Sequence, residues 1–176
     1  VESMEVFVQF GGGIDVQLTE EARERASNFL EQDPCVPQGM PAIMVNPLPV
    51  EMVDQGGYIS LQLAGFAVLR QIDMTPDQGV ELIPATKYGY SSGRWVGETL
   101  EVQTTRVSWP YFDDAGTPQT ENVEILETFS LGADGTRLEY TMTVTDPSSF
   151  VEPVTLNWYW IDIGEPMFLA DMCSDD

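Results

Sequence analysis

Between Thr99 and Thr105 the side chains alternate in character. Leu100, Val102 and Thr104 point one way, and Glu101, Gln103 and Thr105 point the other. Alternation at period two marks a strand with one buried face. Just ahead, Trp95 and Val96 lead into Gly97-Glu98, a Gly-X pair of the kind that supplies the positive φ of a type II′ hairpin turn. The same pattern recurs to both sides. Residues 50–54 and 58–63 read as strands around Gln55-Gly-Gly57, and Ala64-Gly65 turns into a strand over 66–72. A weak strand over 80–83 follows the turn Thr75-Pro-Asp-Gln-Gly79. Downstream, Val123, Ile125, Glu127 and Phe129 share one face of a strand. Beyond a tight Ala133-Asp-Gly135 turn, Leu138, Tyr140, Met142 and Val144 share a face of the next. After Asp146-Pro147, Val154, Leu156, Trp158 and Trp160 share a third, and a last short strand runs over 167–170.

Two stretches depart from this pattern. Leu18, Ala22, Ala26, Phe29 and Leu30 recur at spacings of three and four, which predicts a helix over 18–29 packed by that stripe. Thr19 serves as its N-cap, with Glu20 and Glu21 in the first turn and arginines behind them. Residues 33–49 carry five prolines, so they exclude regular helix and predict an extended arm across the body. Residues 4–10 alternate mildly and read as a short strand or an arm laid on the body.

A long meander of antiparallel hairpins has edges to hide, and closing on itself removes them. The pattern therefore predicts a mainly β fold: an antiparallel, up-and-down, lipocalin-like barrel of about 8–10 strands with one short N-terminal helix, in preference to a two-sheet sandwich. Residues 1–17 are expected to form an N-terminal arm. Residues 18–176 are expected to form a single barrel domain that includes the helix and the proline-rich arm.

Charge narrows the partners. There are 29 acidic residues against 7 basic ones, with no histidine and a net charge of -22. Such a surface repels phosphate backbones and anionic membranes, so nucleic acid is excluded as a partner. Most of the excess acid reads as a solvated surface. No apolar run approaches the ~18 residues of a spanning helix, so no membrane span is expected. The chain opens at Val1 without a leader-like segment, as a mature form or a trimmed chain would. Cys35 and Cys173 lie far apart and, without histidine, form no zinc site. In an exported protein they are expected to bridge; the alternative is two buried thiols.

A set of short motifs resembles a family of exported bacterial proteins of unassigned function. It comprises Leu18-Thr-x-Glu; Cys35-x-Pro-x-Gly-Met-Pro with Met44, Pro47, Pro49 and Glu51; Arg94-Trp95 with Gly97-Glu98-Thr99-Leu100; Glu127-x-Phe129; Leu138-x-Tyr140; Asp146-Pro147-x-x-Phe150; and Cys173. The resemblance covers roughly residues 18–173. It implies a barrel-like β domain in the periplasm or outside the cell, and brings no activity with it. Typical members carry histidines where Tyr90, Gln119 and Glu124 stand here, and an acidic residue in place of Gln103. Any histidine chemistry of the relatives is thus absent from this chain.

With no histidine, a Ser-His-Asp or Cys-His arrangement cannot be built, and no catalytic residue, cofactor or metal site is assigned. Glu127 is the most interesting carboxylate, because it falls on the apolar face of its strand and a buried carboxylate needs a partner. Arg94 is the partner expected from sequence, in a structural ion pair or as a polar anchor below a ligand. Tyr140, Trp158 and Trp160, with Met142, form an aromatic face that either fills the barrel or lines an apolar pocket. Trp109, Tyr111 and Phe112 read as a lid over the barrel mouth or, with loop 108–114, as a contact for a protein partner. Asp113, Asp114 and the tail aspartates Asp171, Asp175 and Asp176 do not match a calcium loop. Three functions follow: a non-catalytic exported barrel binding a small apolar or amphipathic molecule; an interaction module of an extracellular or periplasmic assembly, docking through the N-terminal arm or the aromatic loop; and a histidine-free enzyme of isomerase, cyclase or hydratase type using a carboxylate.

Overall fold

The structure is a computed structural model. It describes residues 4–7, 16–27, 29, 33, 35–45, 49–64, 68–76, 82–162 and 164. Nine strands succeed one another around a closed barrel: β1 (Met4–Phe7), β2 (Val50–Asp54), β3 (Tyr58–Leu63), β4 (Val68–Asp73), β5 (Tyr90–Val96), β6 (Thr99–Thr105), β7 (Glu124–Leu131), β8 (Arg137–Thr145) and β9 (Val154–Asp162). Strands β2 to β9 form one curled sheet. Strand β1 bridges its two edges, pairing with β9 at four positions and with β2 at Met4↔Val50. Part of the expected N-terminal arm is therefore barrel wall.

The hairpin at the centre of the pattern is as expected. Val96 pairs with Thr99, and Gly97 takes φ 62, a conformation that side chains with a Cβ rarely adopt. The three strands β7, β8 and β9 pair along nearly their whole length. Alternation sends Ile125, Glu127 and Phe129, then Leu138, Tyr140, Met142 and Val144, then Trp158 and Trp160, into the interior.

One joint departs from the all-antiparallel expectation. Strands β4 and β5 run parallel and pair at only two positions, Ile72↔Ser91 and Asp73↔Ser92. The chain between them is too long for a hairpin. It leaves the barrel after Asp73 and returns along the same direction, making an isolated parallel bridge from Thr86 to Val107 on the way. Of the weak strand expected over 80–83, the described residues Leu82 and Ile83 lie outside any strand. The rest of that segment and the expected strand over 167–170 lie outside the described residues.

The end of the barrel where β5 begins and β8 passes to β9 is plugged. Helix α1 (Glu20–Ala26) starts at Thr19, whose hydroxyl accepts from the Ala22 amide as an N-cap should. It is pinned there by the Leu18↔Phe150 bridge and by Arg25, whose Nη2 donates to Ser148 O and Ser149 Oγ. A second, one-turn helix α2 (Ala42–Val45) corrects the expectation of a fully extended arm. The five prolines leave residues 42–46 free, and a helix can open directly after Pro41, since proline is tolerated at a helix start. Its Ile43 and Met44 join Met40, Val107, Phe112, Val123 and Phe150 in the core.

Cys35 lies among the described residues, in the turn at the start of the proline-rich arm. Cys173 lies outside the described residues.

Candidate functional site

The opposite end of the barrel, where the β2–β3, β5–β6 and β7–β8 hairpin tips gather, is open. A cavity of about 320 Å³ enters there, walled by Val50, Met52, Ile59, Leu100, Phe129 and Leu138. The alternation of the strands explains it. Inward-facing positions continue beyond the level at which neighbours fill the interior, so Trp95 on β5 and Leu131 on β7 face the lumen yet stay 55% and 60% exposed. These large apolar side chains, with this much water around them, give the mouth an exposed apolar rim. The ionisable side chains that line the cavity are Asp54 and Glu98, both on the rim and both exposed.

Within the barrel lies a polar network. Glu127 is wholly buried, and its partner is Arg70 on β4, itself 2% exposed. The guanidinium is bidentate, with Nη1 to Oε1 at 2.9 Å and Nη2 to Oε2 at 2.7 Å. Tyr140 Oη donates to Oε1 at 2.6 Å, and Thr104 Oγ1 to Oε2 at 3.2 Å. Ser91 Oγ lies 2.8 Å from Thr104 Oγ1 and accepts from Arg70 Nη2 at 3.1 Å. The carboxylate thus fills all of its roughly four acceptor positions. Burial works against the Arg70 charge, but the adjoining Glu127 carboxylate outweighs it and holds the guanidinium above its ordinary value. Burial and the same carboxylate push the Tyr140 phenol well above the usual tyrosine range. The network joins β4 to β5, β6, β7 and β8 by side chains, at the stretch of wall where β4 and β5 share only two residue pairs.

The expected pairing of Glu127 with Arg94 is corrected. Arg94 faces outward and meets Glu101 across the hairpin, Nη2 to Oε2 at 2.7 Å, on the exposed surface. The hairpin register places Arg94 opposite Glu101, and Glu101 already faces away from the buried row. Arg70 was missed although a signal existed: it falls in phase with Val68 and Ile72, the buried positions of β4.

Tyr140, Trp158 and Trp160 are brought together. Their rings touch at centroid distances of 4.5 to 6.0 Å, and Phe129 lies 4.7 Å from Tyr140. They do not line the mouth cavity, which is walled by other residues. Trp109 lies apart from them, at the plugged end. It packs edge-on against Tyr111, and a Cβ at Gly39 would collide with it. Phe112 is fully buried against Phe150, so the aromatic loop is part of the plug rather than a lid on the open mouth. Gln119 ties the loop to the arm, donating to Met40 O and Trp109 O, each at 2.8 Å. Among the described residues no group of acidic or cysteine side chains could hold a metal ion. No described helix is long and apolar enough to cross a membrane.

No protein-family model matches this chain, and no curated protein sequence does.

Proposed function

We propose that this protein is a non-catalytic, lipocalin-like binding barrel that takes a small apolar or amphipathic molecule into its open mouth. The observation that carries this reading is the apolar cavity of about 320 Å³ under an exposed rim of Trp95 and Leu131. Its size stands at the lower end of the roughly 300–1,000 Å³ typical of ligand pockets, which favours a compact guest. The saturated contacts of Glu127 support a structural role for the carboxylate that an enzyme reading would enlist. The proposal includes export to the periplasm or the cell exterior and a bridge from Cys35 to Cys173. The motif resemblance, which includes both cysteines, supports both. Intact mass before and after reduction of unfolded protein tests the bridge: a gain of two hydrogens without loss of mass is expected, and free thiols in the untreated protein would overturn it.

Binding is tested with the neutral fluorophore N-phenyl-1-naphthylamine. Saturable enhancement is expected with the native protein and its loss with Met52→Trp, which fills the cavity from a partly exposed wall position. Absence of saturable binding, or undiminished binding in Met52→Trp, would overturn the reading.

A further inference from the structure

The lining of the mouth selects among amphipathic molecules. Its walls are apolar down to Leu100, Phe129 and Leu138, so the apolar part of a guest belongs inside. At the rim stand Trp95, Asp54 and Glu98, and none of the lining residues is basic. The two nearby arginines with described partners face elsewhere. Arg94 is held by Glu101 on the outer surface, and the Arg137 guanidinium lies 4.7 Å over the Tyr159 ring. A fatty-acid carboxylate emerging from this mouth would meet two carboxylates and no counter-charge. A cationic head would meet two carboxylates and an exposed indole, a combination that recognises quaternary ammonium groups through Coulomb and cation–π attraction.

We infer that the mouth binds cationic amphiphiles, with a short alkyl or ring-bearing tail in the cavity and an alkylammonium head held at the rim by Asp54, Glu98 and Trp95. This inference rests on the binding-barrel reading and names its ligand class. The overall acidity of the chain is not its basis: the selective element is a pair of carboxylates and an indole around an apolar entrance, on inward-facing or tip positions of β2 and the β5–β6 hairpin.

Calorimetric titration with three probes of equal tail length separates the claims: decyltrimethylammonium, decanol and decanoate. The cation is expected to bind about tenfold more tightly than the alcohol, and the carboxylate more weakly than either. The double variant Asp54→Asn, Glu98→Gln should abolish the preference for the cation and leave the alcohol unaffected. It removes two of 29 acidic groups, so a diffuse attraction to the whole protein would survive it. Trp95→Leu should weaken the cation selectively. Decanoate binding as tightly as the cation, or a cation preference unchanged in the double variant, would overturn the ligand class while leaving the binding barrel standing. Failure of all three probes to bind would overturn both.

Discussion

The Tyr140 hydroxyl donates to Oε1 of Glu127 at 2.6 Å, closing a carboxylate that Arg70 already grips from β4. Neighbouring strands β7 and β8 thus share with β4 a charge pair that water does not reach. Such a pair is costly to break from one side and cheap to remove whole, because a lone charge left behind keeps its desolvation penalty.

Glu127→Gln should therefore lower unfolding free energy by about 3–5 kcal/mol. Arg70→Met alone should cost a similar amount. The triple variant Arg70→Met, Glu127→Leu, Tyr140→Phe removes both charges and the phenol that would lose its acceptor, and should recover most of the loss. Denaturant melts of the four proteins check this. Additive losses in the triple variant would contradict the pairing.

The tyrosines give a pH signature. Tyr90 Oη donates to Asp73 at 2.7 Å, and burial together with that carboxylate raises the Tyr90 phenol to about 12. Burial raises Tyr88 as well, and Tyr140 lies higher than the ordinary range. Spectrophotometric titration of the folded protein should show these phenols resisting ionisation near pH 10, with Tyr90→Phe deleting a step near 12. A raised phenol stabilises the fold below its unfolded pKa of about 10, and the contribution is lost as pH climbs through the folded value. Asp73 is held low, first by the Tyr90 hydroxyl, so its contribution is present above the usual carboxylate range and lost as acid is added.

Gly39→Ala should destabilise by about 1–3 kcal/mol, since a Cβ there would collide with the Lys87 carbonyl and with Trp109. Differential scanning calorimetry would show it. An unchanged melting temperature would mean that the arm is not seated against the aromatic loop.

Asp146→Ala should cost about 3 kcal/mol by the same measurement. The buried Asp146 carboxylate accepts from the Thr120 amide and hydroxyl, the Ser148 amide and the Ser149 hydroxyl, which sets the turn that delivers Phe150 to the core. Asp146→Asn should retain part of that stability.

The strands most legible in the sequence were those with one apolar face and a glycine turn: 50–54 and 58–63 appear with those bounds. The β4–β5 joint was not legible, because its pairing depends on where a long connection returns rather than on any local alternation. Strand β4 also hid its buried arginine, since Val68 and Leu69 are both apolar and blur the phase that Arg70 shares with Ile72. Glu127 could be singled out from one strand alone, whereas its partner requires knowing which strand lies across the barrel. The mouth was likewise out of reach. Trp158 and Trp160 are the largest inward residues in sequence, but a cavity opens where inward positions outrun their neighbours, and that is a matter of strand ends.

The parallel step between β4 and β5 gives the cylinder a parting line. Elsewhere around β2 to β9, long ladders of backbone bonds hold each strand to the next. Here two residue pairs and the fork of Arg70 do that work. Between β2 and β9 the wall can accordingly widen here without unzipping a hairpin, fastened from within by a clasp rather than stitched along its length.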